Sequence, residues 1–238
     1  MSSAASVVEF VGVVKAYQAL RPLRIAELRV APGTIVSVAG IDAMAAEVLV
    51  NLMTAAVRPD AGEVRLFGTS TAAIDDYAAW LQMLDGLGLL TDRAVLLSQC
   101  TVAQNLALPL TLTVDPIQPA VLARVRALAT EVGIGEDQLE RFVHQAPPEI
   151  LQRVRLGRAL ALGPRLLVAE HPSATLPRDA VAPLARDLAV IAERRGLGLL
   201  AISADRDFIR ALGGTALTLD PATGVLARPG LLARLGLR

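Results

Sequence analysis

Three short apolar runs constrain this chain more than any other feature: Thr34–Gly40 (TIVSVAG), Arg165–Ala169 (RLLVA) and Leu197–Ser203 (LGLLAIS). They lack the polar-out alternation of a strand with one wet face, so each must be covered on both sides. Thr215–Asp220 reads as a fourth strand. Helical stretches lie between them: Ala43–Val57, with Val48, Leu49, Leu52 and Met53 at helical spacing, then Ala120–Glu131, Glu136–Val143, Pro147–Leu162 and Val181–Arg195. Strands alternating with helices predict an α/β fold with a mostly parallel sheet and crossover connections. Val7–Val14 and Arg24–Val30 predict an N-terminal antiparallel β element, and Pro59-Asp60-Ala61-Gly62 a turn into the strand Glu63–Phe67.

At 238 residues the chain suits one large α/β domain. A hydrophobic share of 53% excludes a disordered chain, and 23 basic against 23 acidic residues argue against a nucleic-acid partner. Of the basic residues 22 are Arg, and Lys15 is the single lysine. The lone Cys100 fits a reducing compartment, and MSSAASVVEF has no basic region followed by an apolar one, so a cytoplasmic protein is expected. Ala94–Val114 is uncharged for about the span of a bilayer. Its Ser98, Gln99, Thr101, Gln104, Asn105 and Pro109 point instead to a loop and short helix in a core or against an apolar partner. The tail Leu231–Arg238 is read as docking on the domain or fraying.

The strand–turn–helix unit at 34–57 is where an α/β protein binds phosphate, because backbone N–H groups and a helix N-terminus converge there. A P-loop reads G-x-x-x-x-G-K-[ST], with Lys for the phosphates and a hydroxyl for Mg²⁺. This chain has Gly40-Ile41-Asp42-Ala43-Met44-Ala45-Ala46-Glu47. Further segments, in order, are Lys15-Ala16-Tyr17, Val57 to Val64 before Phe67-Gly68, Thr101 to Leu110, Gln152-Arg153-Val154 with Arg158-Ala159-Leu160, and Gly163 to Leu167. In order and spacing the chain resembles the ATP-binding subunit of ABC transporters over essentially its whole length.

That resemblance implies a P-loop NTPase-like nucleotide-binding domain at 1–238, with a RecA-like core at about 1–90 and 160–225 and a helical subdomain at about 90–160. It also implies degenerate motifs. The P-loop lysine falls on Ala46 and the Mg²⁺-binding hydroxyl on Glu47, two glycines become Ala43 and Ala45, and Asp92 takes the Q-loop glutamine position. The signature becomes Ala146-Pro147-Pro148-Glu149-Ile150. Glu170 falls at the Mg²⁺-directing aspartate, His171 at the catalytic glutamate and Ala204 at the switch histidine, while Leu176-Pro177 ends a D-loop-like stretch without its aspartate.

Replacing Lys by Ala removes a cation beside a polyanion, and Asp42 and Glu47 add charge of the wrong sign. At an effective dielectric near 20, each close like-charge contact is unfavourable by roughly a few kcal/mol. The expected function is a degenerate cassette subunit, a structural or regulatory partner of a permease without ATP hydrolysis. The alternative is an active ATPase using Glu170 and His171, the latter as general base.

By resemblance the implied partners are a membrane permease subunit and a second ABC subunit, as homo- or heterodimer, which would place the chain on the inner face of the cell membrane. ATP and Mg²⁺ are implied only by the family, and no bound cofactor or metal is expected. Family dimers are head to tail, each nucleotide lying between one chain's P-loop and the other's signature, so an intact partner restores neither site. Simpler readings stand beside these: Tyr17 as a packed aromatic, Glu170 as a structural hydrogen-bond acceptor, Asp92-Arg93 as a local ion pair, and Arg194-Arg195 as a solvated face. The emptied cleft is also open to a cationic ligand drawn to Asp42, Glu47 and Asp92.

Overall fold

The computed structural model describes residues 6–228, so the tail Leu231–Arg238 lies outside the described residues. The strands β1 (Val8–Lys15) and β2 (Leu23–Val30) precede the buried strand β3 (Ile35–Ala39) and its helix α1 (Ala43–Met53). Then come β4 (Ala61–Leu66), the two-residue β5 (Thr69–Ser70), α2 (Tyr77–Asp85) and β6 (Leu87–Leu90). The helices α3 (Val102–Ala107), α4 (Pro119–Glu131) and α5 (Pro148–Leu160) follow, and β7 (Leu166–Glu170) returns to the sheet. The chain continues through α6 (Arg178–Arg195), β8 (Gly198–Ser203), α7 (Arg206–Leu212), β9 (Thr215–Asp220) and β10 (Val225–Ala227).

All ten strands form one sheet in the order β5-β4-β1-β2-β10-β9-β3-β8-β7-β6. One end is the antiparallel element, with β1 between β2 and β4. The other end is parallel throughout, β9-β3-β8-β7-β6. Alternate side chains of the central strands serve two separate cores, as a period of two requires. Leu167 and Ala169 of β7 and Leu199 and Ala201 of β8 face the helices α3 to α7. Leu166, Val168, Leu200 and Ile202 face α1 and the antiparallel strands.

Several expectations are corrected. Glu136–Val143 is not an α-helix: the chain makes short 3₁₀ turns at Glu136–Gln138 and Val143–Gln145. The backbone between them is used elsewhere, the carbonyls of Leu139 and Arg141 accepting from Ala103 and Val102 at 2.9 Å and the Val143 N–H donating to Cys100 at 3.1 Å. Arg195 is no solvated side chain, since its guanidinium is forked on the Glu131 carboxylate and also donates to the Leu160 carbonyl, tying α6 to α4 and α5.

No helix among the described residues is long and apolar enough to cross a membrane. Within the uncharged stretch, six residues form α3, opened by a capping box between Thr101 and Gln104. The fully buried Asn105 donates to the carbonyls of Leu97 and Thr101 and accepts from the Leu97 N–H, folding the preceding loop around itself.

The register of β1 against β4 shifts between Val11 and Val14. Gly12 and Gly62 meet at that bulge, both with positive φ, and a Cβ on Gly62 would strike the backbone of Gly12 and Val11. Gly62→Ala is therefore expected to lower unfolding free energy by about 2–3 kcal/mol, read from urea denaturation, with no change in the slope that reports exposed surface.

Candidate functional site

The carboxyl ends of β3, β7 and β8 and the loops leaving them form one edge of the sheet, where α/β proteins bind ligands. Gly40 leaves β3 at φ +70°, a left-handed conformation that suits glycine. Asp42 then caps α1: its carboxylate accepts from the Ala45 N–H at 2.8 Å, and its carbonyl accepts from Ala46 at 2.9 Å. One of the N–H donors at this helix start is thus taken by the chain's own carboxylate. Ala45 and Ala46 are fully buried in the core beneath, so position 46 presents no cation to the cleft. Tyr17 packs at the edge of the same core. Burial, and then the charge of nearby Asp42, push its hydroxyl above the ordinary phenol range.

Glu47 and Glu170 converge on one arginine. Arg93, from the loop after β6, places Nη2 2.6 Å from Glu170 Oε2 and Nη1 3.1 Å from Glu47 Oε1. Glu170 closes the wholly buried strand β7 with its side chain 7% exposed, against 44% for Arg93 and 54% for Glu47. The simpler reading of Glu170 as a hydrogen-bond acceptor therefore describes its geometry, and the reading of Asp92-Arg93 as a local pair is corrected. Asp92 lies 3.7 Å from Arg155 of α5 instead, while Arg155 also donates to the Ala94 carbonyl. Sequence reasoning named Arg93 but missed its partners, which come from α1 and β7. The acidic substitutions at 47 and 170 were the available signal, since two carboxylates near a P-loop need a cation.

His171 follows at φ +43°, its N–H donating to the Ile202 carbonyl at 2.7 Å. Its Nε2 is buried without a hydrogen-bond partner. The residue lines a cavity of about 480 Å³ with Ser173, Ser203, Ala204 and Asp205. Ala204 thus sits in the same recess as His171 and brings no titratable group to it. Ser173 donates to Asp205 at 2.9 Å, and Asp205 caps α7. Burial works against the Asp205 charge, but the Phe208 N–H, the Ser173 hydroxyl and the Asp207 N–H together outweigh it and lower its carboxyl.

His144 lies elsewhere, against the Ser98 carbonyl and stacked on Phe142. No group of three or more metal-ligating side chains occurs among the described residues. At the signature position, Pro147 caps α5 without a side-chain hydrogen bond and Pro148 opens it, so two N–H donors are missing where Glu149 adds a carboxylate. Lys15 is committed to Asp60 at 2.8 Å. Its ammonium, and then the Ala16 N–H, hold the Asp60 carboxyl below its usual range. The residues around α1 depart from a Mg²⁺–nucleotide site: Asp42 accepts from the Ala45 N–H, position 46 carries no cation, and the Glu47 and Glu170 carboxylates share the single positive charge of Arg93.

No family model matches the chain. It is 29% identical over 219 residues to the methionine import ATP-binding protein MetN of Xanthomonas oryzae pv. oryzae, covering 89% of this chain and 64% of that protein. The chain therefore spans less than two thirds of the length of these first relatives. To the lipoprotein-releasing system ATP-binding protein LolD 1 of Rhodospirillum rubrum it is 30% identical over 195 residues, covering 82% of this chain and 85% of that one.

Among solved structures, cbiO1 from Clostridium perfringens, part of the ABC transporter complex cbiONQ, superposes with a TM-score of 0.79 at 14% identity, covering 97% of this chain and 90% of that chain. The dimeric ATP-binding cassette MJ0796 in a post-hydrolysis state with ADP and Pi gives 0.75 at 21% identity, covering 93% and 97%. The fold is thus that of an ABC nucleotide-binding domain. By sequence, the chain belongs to the ATP-binding proteins of ABC transporters.

Asp92 supplies a test of the site's electrostatics. Burial is the larger influence and raises its carboxyl; Arg155 pulls it down, Glu170 pushes it up again and His171 opposes that. A raised folded-state value means that stability is fullest below the unfolded carboxylate range and falls as pH rises through the folded value. Asp92→Asn removes that dependence. Thermal melts are expected to match wild type at low pH and to exceed it at neutral pH, the gap opening across the carboxylate range.

Proposed function

We propose that this chain is a cassette subunit of an ABC transporter that serves as a structural or regulatory partner of a membrane permease subunit and does not itself hydrolyse ATP. It pairs with a second cassette subunit, as homo- or heterodimer, and is held through the permease on the inner face of the cell membrane. The observation that carries the reading is the cap on α1: Asp42 accepts from Ala45, so an anion already sits where a nucleotide's phosphates would be bound. Phosphoryl transfer depends almost wholly on positioning and charge stabilisation. A cradle that is self-capped, lacks its lysine and adds Glu47 supplies neither.

The family framework supports the transport setting, since position after position around the site keeps family spacing while the reacting residues change. The names of the relatives speak of methionine import and lipoprotein release, and those substrates stay with them.

Calorimetric titration with Mg-ATP is expected to give no saturable heat, and phosphate release should be at background in wild type and His171→Ala alike. Tight Mg²⁺-dependent binding, with turnover abolished by His171→Ala, would overturn the reading in favour of an active ATPase. Affinity capture from detergent-solubilised membranes is expected to bring down a membrane-embedded subunit; recovery of none counts against the permease assignment.

A further inference from the structure

Glu47 and Glu170 occupy the two positions that, by family spacing, hold the magnesium ion in a working site: the N-terminal half of the P-loop helix and the end of the buried strand β7. In this chain both are carboxylates, Glu170 buried and Glu47 half exposed, brought together around one cation. The Arg93 fork meets one with each terminal nitrogen, at 3.1 and 2.6 Å. Guanidinium is permanently charged, planar and suited to two carboxylates at once.

Asp92 and Arg155 hold the loop from the α5 side. Arg155 donates to the carbonyl of Ala94 and Arg158 to that of Val95, so Arg93 enters the cleft from a loop fixed on its far flank. Lysine, a single point charge, would not span both acids in this way.

We propose that the Arg93 guanidinium is a built-in occupant of the divalent ion's place, lying between Glu47 and Glu170 and pairing with both carboxylates at once. Removing the arginine therefore uncovers a latent divalent-cation site made of the two carboxylates, whose hard oxygen donors suit Mg²⁺ or Mn²⁺. The inference rests on the reading that this cleft has left nucleotide chemistry, and its test contains no nucleotide, so the two can fail separately.

The test is Mn²⁺ titration of the full chain, followed by loss of the free-ion paramagnetic signal and by thermal melting. Wild type is expected to show no saturable uptake at this site. Arg93→Met, which keeps the bulk and removes the charge, is expected to bind Mn²⁺ at least about tenfold more tightly and to melt higher with the ion than without it. Adding Glu170→Gln to Arg93→Met should abolish both gains.

Should Arg93→Met not fold alone because Glu170 is left buried and unpaired, folding restored by Mn²⁺ supports the inference. Wild type binding as tightly as the variant overturns it, as does a folded variant that gains nothing. So does an unfolded variant that Mn²⁺ does not rescue, whether or not Glu170→Gln restores its fold.

Discussion

Two-sided burial of the strands β3, β8 and β7 is the constraint on which the rest of the molecule depends. Every residue of β7 and β8 is buried, and successive side chains are divided between two cores on opposite faces of the sheet. Such strands cannot slip by one residue, because a slip would exchange the two sets of side chains between cores of different shape. The loops that leave their carboxyl ends are therefore fixed in relative position. Gly40, Glu170 and Ser203 end or follow three adjacent strands, and the cleft residues follow from them without further adjustment.

On that frame the chemistry of the edge runs opposite to what the geometry favours. A helix N-terminus attracts anions, and α1 satisfies the attraction internally through Asp42. A strand end beside it attracts a cation through Glu170, and Arg93 satisfies that internally as well. Each polar demand created by the backbone is met by a side chain of the same protein. A ligand supplying the same charges would first have to displace contacts already formed.

The parallel strands and α1 were legible because burial on both faces leaves a continuous apolar run, and a helix behind it keeps its spacing. The helix α2 was not read, although Tyr77, Trp80, Leu81 and Leu84 recur at helical spacing; none of its residues is buried, and it is held by its Asp76 cap and by Trp80 donating to the Thr54 carbonyl. The strand β6 was hidden by Gly88, which is small because the Ala159 carbonyl and Pro164 approach where a Cβ would stand. Glu136–Val143 carried helical spacing, yet its backbone bonds went to the start of α3, a competition that local pattern does not record. In the cleft, positions 42, 46, 47 and 170 were readable as altered, but the closing of Arg93 on two of them was not. Adjacent Asp92 and Arg93 suggest each other as partners, whereas the fold turns them to opposite sides.

That divergence of two neighbouring side chains gives the loop after β6 its physical role. Asp92 points to α5 and Arg93 to α1 and β7, so one short stretch joins the helix α5 to the sheet edge. An exposed ion pair alone would contribute little, but Glu170 is buried, and a buried carboxylate without its cation is strongly unfavourable. The Arg93–Glu170 bond is thus sustained by the burial of one partner more than by attraction in water. The two-core sheet, by burying the end of β7, sets the strength of the contact that closes the cleft. The loop's position and the pairing of Glu170 are therefore linked, because moving the loop away would leave that buried carboxylate without the Arg93 cation.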